Sequence, residues 1–497
     1  MALVWFVPQP VLASGGRLVL RTIDSATGEP VACRMHLRTA KGRVLKAKRT
    51  VAWDDHFLVD GKVALDLPEG DYVFEIERGP EYAPRQGQFT MINFGDDQQE
   101  ITLKRITNMA SDGWWSGETH IHRRPEEIEL LMRAEDLHVA PVITWWNDKN
   151  YWQKSQREPN PDPVQFDDNR FYQLMAGEDE REGGAILFLN LREPLDLTQA
   201  TNNFPPALRF VEQARQQQDV WIDAEKPFWW DFPVWLAAGV VDSIGLANNH
   251  LARLSVLDNE AWGKPRDRKR FPAPDGNARW TQEIYSHVLN AGLRIPPSAG
   301  SASGVLKNPV GYNRMYVFVG EDLTYESWFE ALRAGRVVVT NGPLIRPQIG
   351  GQLPGHTFRA ADGANVELDV DLKVTAPHGG RLEIVKNGEV IQSVPLDQWA
   401  KQGTLPPIRF TTSGWFLARV ISPAEDNFRF ASTGPYYVEI GDEPHISRQS
   451  AKFFLDWIEE RAAMHQLADA AQQTAVLADL DRARRFWQAR VEAANAP

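Results

Sequence analysis

His120 and His122 stand one residue apart in the run Trp114-Trp115-Ser116-Gly117-Glu118-Thr119-His120-Ile121-His122. Side chains alternate along a strand, so this spacing puts both imidazoles on one face. Two imidazoles on one face can hold one metal ion. A metal so held lowers the pKa of bound water enough to give hydroxide near neutral pH, and the chemistry that follows is hydrolysis. A complete site needs three or four ligands gathered from separate strand ends. The chain offers Glu178 in Ala176-Gly177-Glu178, Asp223 and Glu225 in Ile222-Asp223-Ala224-Glu225-Lys226-Pro227, and His250 in Asn248-Asn249-His250. Each follows an apolar, strand-like run. An acid at a loop start is ordinarily solvated or caps a helix. Their shared placement just past strand ends is what a site at the mouth of a barrel requires.

The elements that must position these groups change character along the chain. Residues 15 to 105 read as β: Lys62 to Leu67 and Asp71 to Ile76 are short strands around the turn Pro68-Glu69-Gly70, which predicts a β-sandwich over 1–105. From 106 to 344, apolar strands such as Val139 to Thr144, Ala185 to Leu189 and Val241 to Leu246 alternate with helical stretches at Glu126 to His138, Pro206 to Gln218 and Tyr325 to Ala334. That alternation predicts an α/β barrel. Residues 345–442 return to β, with a hairpin signal at Lys386-Asn387-Gly388-Glu389, and read as a second sandwich. Residues 443–497 read as a helical tail packing on the core, with an apolar stripe at Phe453, Phe454, Trp457 and Ile458.

Composition bounds the function. A chain of 497 residues has room for about three domains. A net charge of −12 argues against a nucleic-acid partner. No stretch approaches the ~18 apolar residues that span a membrane. The single cysteine, Cys33, excludes an intrachain disulfide. Met1 to Ala13 is apolar and resembles the end of a trimmed secretory signal, which would make the protein periplasmic or secreted; without that signal it is cytoplasmic. The 18 tryptophans suit either a core or a site for flat, apolar or sugar-like ligands. The expected partner is a small-molecule substrate, aromatic or sugar-like; the oligomeric state is not encoded in any motif.

Four stretches resemble the PHP (polymerase and histidinol phosphatase) superfamily, and within it the CehA/McbA-like metallohydrolases. They are Ser116 to His122, the helix leading into Val142-Ile143-Thr144, Ala176-Gly177-Glu178, and Gly335-Arg336-Val337-Val338-Val339-Thr340-Asn341-Gly342-Pro343. In addition, Asp24-Ser25-Ala26-Thr27-Gly28-Glu29-Pro30-Val31 resembles the transthyretin-like sandwich of carboxypeptidase regulatory domains. The resemblance implies a distorted PHP-like (β/α) barrel flanked by the two sandwiches, and ester, carbamate or phosphoester substrates. The chain departs from the family pattern in four places. Thr144-Trp145-Trp146 replaces Thr-Asp-His, Gly184-Ala185-Ile186 lacks a histidine, Glu225-Lys226-Pro227 replaces His-Pro, and Gly300-Ser301-Ala302-Ser303-Gly304 loses two ligands. The usual set of two or three metals therefore cannot assemble.

Two readings follow. In the first, one metal is held by His120, His122 and Glu178, completed by Glu225 and His250. Zinc suits these nitrogen and oxygen ligands, as do manganese, iron or nickel. Metal-bound hydroxide would attack, with Asp223 or Glu225 as general base. Lys226 and Arg314 would stabilise the oxyanion. Trp145 and Trp146, at former ligand positions, would bind substrate with Tyr312. In the second, the site is dead and the chain is a carbohydrate-binding or scaffold protein.

Overall fold

The protein is described here by a computed structural model covering residues 15–155, 158–424, 427–441 and 443–497. Met1 to Ala13, the segment resembling a trimmed signal, lies outside the described residues. The chain forms two compact units. The first runs to Ile106 and includes Arg133–Asp136; the second comprises Thr107–Met132 and Leu137–Pro497.

In the first unit, Lys62–Pro68, Gly15–Asp24 and Asp96–Leu103 form a three-stranded sheet. A second sheet holds Ala52–Trp53, His56–Asp60, Ala32–Thr39, Gly70–Glu77 and Arg85–Met91. Val63, Leu65 and Leu67 point inward while the residues between them are exposed, the period-2 pattern of a strand with one wet face. They meet Cys33, Met35, Leu37, Phe57, Val59 and Ile76 in one core.

The second unit overturns the predicted barrel. A (β/α) barrel needs parallel strands, each followed by a helix. Strands make up 37% of the chain and helices 21%, and the strands of this region mix directions. Trp114–Gly117, Val139–Trp146 and Arg170–Arg181 are parallel neighbours, as are Trp221–Ala224, Ser243–Ala247 and Pro297–Ala299. Between these groups, Arg170–Arg181 and Gly184–Leu189 form an antiparallel hairpin. Gly184–Leu189 is antiparallel to Trp221–Ala224, and Arg314–Phe318 is antiparallel to both Trp114–Gly117 and Val337–Thr340. The misreading has a plain cause. A short apolar run looks the same in parallel and antiparallel sheets. The turn at Glu182-Gly183 then folds the chain directly back, where a βαβ unit would insert a helix.

The sheet does not stop at 344. Val337–Thr340 pairs with Arg429–Thr433, which leads through Gly414–Ser422 to Arg381–Lys386 and Glu389–Pro395. Leu344, Ile345, Leu382, Ile384, Phe416 and Val438 form the core of this part. The helices Arg448–Met464 and Ala470–Glu492 close the chain. Phe454 stacks on Trp487 with ring centres 4.5 Å apart, and Trp487 Nε1 donates to Pro233 O at 3.0 Å. No helix among the described residues is long and apolar enough to cross a membrane.

Candidate metal centre

Beyond Trp114–Gly117 the chain stays extended. Thr119 N donates to Ala299 O, Ile143 N to Ile121 O, Ala302 N to His120 O and His122 N to Ser303 O, at 2.8 to 3.0 Å. Ile121 is buried, and alternation sends His120 and His122 the other way. Their Nε2 atoms lie 2.9 Å apart. Gly300 makes this approach feasible: a Cβ there would sit 2.4 Å from His120 Cβ. Glu118 pins the neighbouring loop, accepting from Ser301 N at 2.6 Å and Gly311 N at 2.7 Å. Burial pushes its pKa up to about 7.

Glu178, in register with Trp146 on the adjacent strand, completes the cluster. Its Oε2 lies 3.0 Å from His122 Nε2 and 3.5 Å from His120 Nε2. One ligand atom from each of His120, His122 and Glu178 falls within 4.8 Å of the others. Burial on its own would raise the Glu178 pKa, but the two imidazoles outweigh it and hold the carboxyl well below its usual range.

Glu225 and His250 do not join this triad. Glu225 Oε1 lies 3.4 Å from Nδ1 of His120, the nitrogen facing away from Glu178 and His122, and has no hydrogen-bond partner. It is placed as the carboxylate behind a ligating histidine, which fixes ring orientation and tautomer. Its other oxygen receives Lys226 Nζ and, at 3.2 Å, Trp229 Nε1. His250 Nδ1 is 3.0 Å from Asn259 O. Burial, then the Lys226 charge, pull its pKa down to about 3, so the ring is neutral.

The other residues singled out from the sequence are spread more widely. Asp223 accepts from Ser243 Oγ at 2.5 Å, and Ser243 Oγ in turn accepts from Trp221 Nε1 at 2.7 Å. Its carboxylate is thus committed within the sheet, and burial raises its pKa to about 6. The Lys226 ammonium is committed to Glu225 and lies 4.6 Å above the Trp229 ring. Arg314 alternates with Met315 and Val317, which face the main core, and its Nε donates to Gly311 O at 2.5 Å. Tyr312 Oη accepts from Asn427 Nδ2 at 2.9 Å. Trp145 and Trp146 part company because neighbours on a strand face opposite ways. Trp145 packs in the core against Phe188 and Gly177, whereas the Trp146 ring lies 5.4 Å from His122. Trp145 thus lies in the core, while Arg314 Nη1 and Nη2 are buried without a hydrogen-bond partner.

Two groups were missed. Glu180 shares the strand face of Glu178, a relation readable from i, i+2 alternation. It is half-buried and makes no side-chain hydrogen bond among the described residues, and burial with the Glu178 charge pushes its pKa up to about 7. Trp262 is 45% exposed yet fixed: it stacks on Trp229 at 5.6 Å and donates Nε1 to Arg181 O at 2.8 Å. No local spacing signals it, because the stack joins distant loops.

The electrostatics favour a cation. Glu178, Glu180 and Glu225 converge here, and Lys226 is the one lysine or arginine among the described residues whose charge pairs with them. Burial would lower the His120 pKa, but Glu178 and then Glu225 outweigh it and push it up to about 10.

A second histidine–acid cluster lies in the first unit. His36 Nδ1 is 3.1 Å and His56 Nδ1 3.5 Å from Asp55 Oδ1. Here arginines intervene: Arg34 Nε donates to His36 Nε2 at 3.1 Å, and Arg38 Nη2 to Asp55 Oδ2 at 2.8 Å. Arg34 also pairs with Glu77 at 2.7 Å and Glu135 at 2.5 Å.

No family profile matches the chain, and no curated protein matches it. Among solved structures it is similar to a DUF3823 family protein from Parabacteroides merdae, at 16% identity over 22% of this chain and 53% of that protein, with a TM-score of 0.12.

Proposed function

We propose that the protein is a metal-dependent hydrolase with one divalent ion at His120, His122 and Glu178. The observation that carries this reading is the convergence of buried His120 and Glu178 with half-buried His122, each offering a ligand atom within 4.8 Å of the others. The donor set of two nitrogens and a carboxylate oxygen suits zinc, and also manganese, iron or nickel. The orphaned Glu225 Oε1 behind His120 supplies the outer carboxylate that metal-ligating histidines use. With the histidines neutral, as metal ligands must be, and Glu180 ionised, three carboxylates against one lysine would leave a charge of −2 for one divalent ion to balance.

A bound ion supplies Lewis acidity, polarising the scissile carbonyl or phosphoryl group and acidifying water. The chain's own residues do the rest. Glu225 orients the His120 ring. Lys226 neutralises Glu225 and leaves Glu178 to the ion. Glu180 takes the role first assigned to Asp223: it is the carboxylate free to hold a proton beside the cluster. Trp146 and Trp262 offer indole faces to a ring-bearing substrate. The bond class, ester, carbamate or phosphoester, rests on the resemblance of the Ser116–His122 and Gly335–Pro343 stretches.

The test is metal analysis of the purified full chain with activity on aryl esters and phosphoesters before and after chelation. One equivalent of metal and chelator-sensitive turnover are expected. Absence of both would overturn the reading in favour of a binding or scaffold protein.

A further inference from the structure

A groove of about 830 Å³ lies in the second unit, lined by none of the residues of the histidine cluster. Its walls carry Arg336, Arg346, Arg359 and Lys373, against the carboxylates of Asp112 and Asp371. Four cations face two carboxylates in the lining, with Glu439 paired to Arg359 beside it, so the groove is net positive in a chain whose net charge is −12. Composition therefore does not explain the sign of this groove.

Strand register concentrates the charge. Leu344–Ile349 and Val370–Thr375 form a two-stranded antiparallel ribbon in which Arg346 stands directly opposite Lys373. Like charges facing each other across a ribbon destabilise it. Arg346 is answered in part by Asp112, 2.8 Å from its Nη1, but its Nε is buried without a hydrogen-bond partner. Arg359 pairs with Glu439 at 3.0 Å. Lys373 and Arg336 are exposed and make no ion pair among the described residues. One rung along, Gln348 faces Asp371, giving a neutral donor and an acceptor beside the cations.

We propose that this groove binds a compact ligand bearing at least two anionic groups, seated among Arg336, Arg346 and Lys373. The shared chemistry is an oxyanion: phosphate, sulfate or carboxylate. Guanidinium forks match such oxygens in charge and geometry. Gln348 and Asp371 meet an uncharged, hydroxyl- or amide-bearing part of the same molecule. The volume falls within the range of about 300–1,000 Å³ typical of small-molecule sites.

The test is isothermal titration of the full chain, stripped of metal by chelator and dialysis so that chelation is not read as binding. The probes are tripolyphosphate, a sulfated disaccharide and citrate, with maltose as the neutral control. At least one anionic probe is expected to bind one per chain, and its identity names the oxyanion; maltose is expected not to bind. Arg336→Gln and Lys373→Gln should each weaken binding about tenfold, with unchanged thermal midpoints because both residues are exposed. Lys62→Gln, an exposed change in the first unit, should leave affinity unaltered. The proposal is overturned if no anion binds, if maltose binds as well, if binding survives the Arg336→Gln/Lys373→Gln double change, or if Lys62→Gln weakens it equally.

Discussion

His120, His122 and Glu178 in the second unit, and His36, Asp55 and His56 in the first, each combine two histidines with one carboxylate at similar burial. Ligand type does not distinguish them; their surrounding charge does. Around His120 and His122, acids outnumber permanent cations, and the histidines present nitrogens to one another and to Glu178. Around His36, Arg34 donates to Nε2. A guanidinium is a donor only, so the Nε2 that accepts from Arg34 has its lone pair engaged. Arg38 claims the other oxygen of Asp55. The first cluster is interleaved with arginines, although His36 Nδ1 is buried without a hydrogen-bond partner, while the second has Lys226 alone against its carboxylates.

The largest expected contrast is in metal content. Glu178→Gln or His120→Ala should take bound metal from one equivalent per chain to none after dialysis, whereas His36→Ala should leave it at one. Elemental analysis of the three variants decides this. Metal retained by Glu178→Gln, or lost with His36→Ala, would reverse the assignment.

Stability should respond in the opposite sense. Arg34 is 3% exposed and pairs with buried Glu135 and half-buried Glu77, so Arg34→Ala removes a buried cation from both carboxylates. Breaking such a pair costs about 3–5 kcal/mol. Urea unfolding of the full chain should show this loss; a change under about 1 kcal/mol would mean that the network relaxes without cost.

The first cluster also predicts a pH dependence. Burial lowers the His56 pKa from 6.5 to about 4. Between those values the unfolded chain binds a proton that the folded chain does not, so stability rises with pH through this window. The contribution is fully present above pH 6.5 and is lost as pH falls toward 4. It amounts to at most about 3 kcal/mol. His56→Gln should flatten the stability profile between pH 4 and 6.5; an unchanged slope would place the proton uptake elsewhere.

The same contrast shows what the sequence could and could not reveal. His-x-His on an extended segment and Glu178 past an apolar run were readable, because strand alternation is local. The separation of Trp145 from Trp146 follows from the same alternation. Strand direction was not readable, since the run Ala185 to Leu189 is equally apolar whether its neighbours are parallel or antiparallel. Nor was the first cluster: Arg34, His36 and Arg38 alternate along one strand like a solvated face, and only the fold buries Arg34 and His36 against Asp55, Glu77 and Glu135. Which nitrogen of His120 faces Glu225 depends on ring rotation, on which sequence spacing is silent.

That last point gives the finest test. If Glu225 were a ligand, Glu225→Gln would remove metal as completely as Glu178→Gln. Its place behind His120 Nδ1 predicts less, a loss of about 10–100-fold in metal affinity, the usual cost of removing an outer carboxylate. An amide keeps an oxygen able to accept from Nδ1–H but no longer balances Lys226, so the ring stays oriented while the local charge becomes less favourable to a cation. Competition titration with a chromophoric chelator resolves a change of this size. Affinity equal to that of the unaltered chain would remove Glu225 from the centre; loss as complete as that of Glu178→Gln would move it into the ligand set.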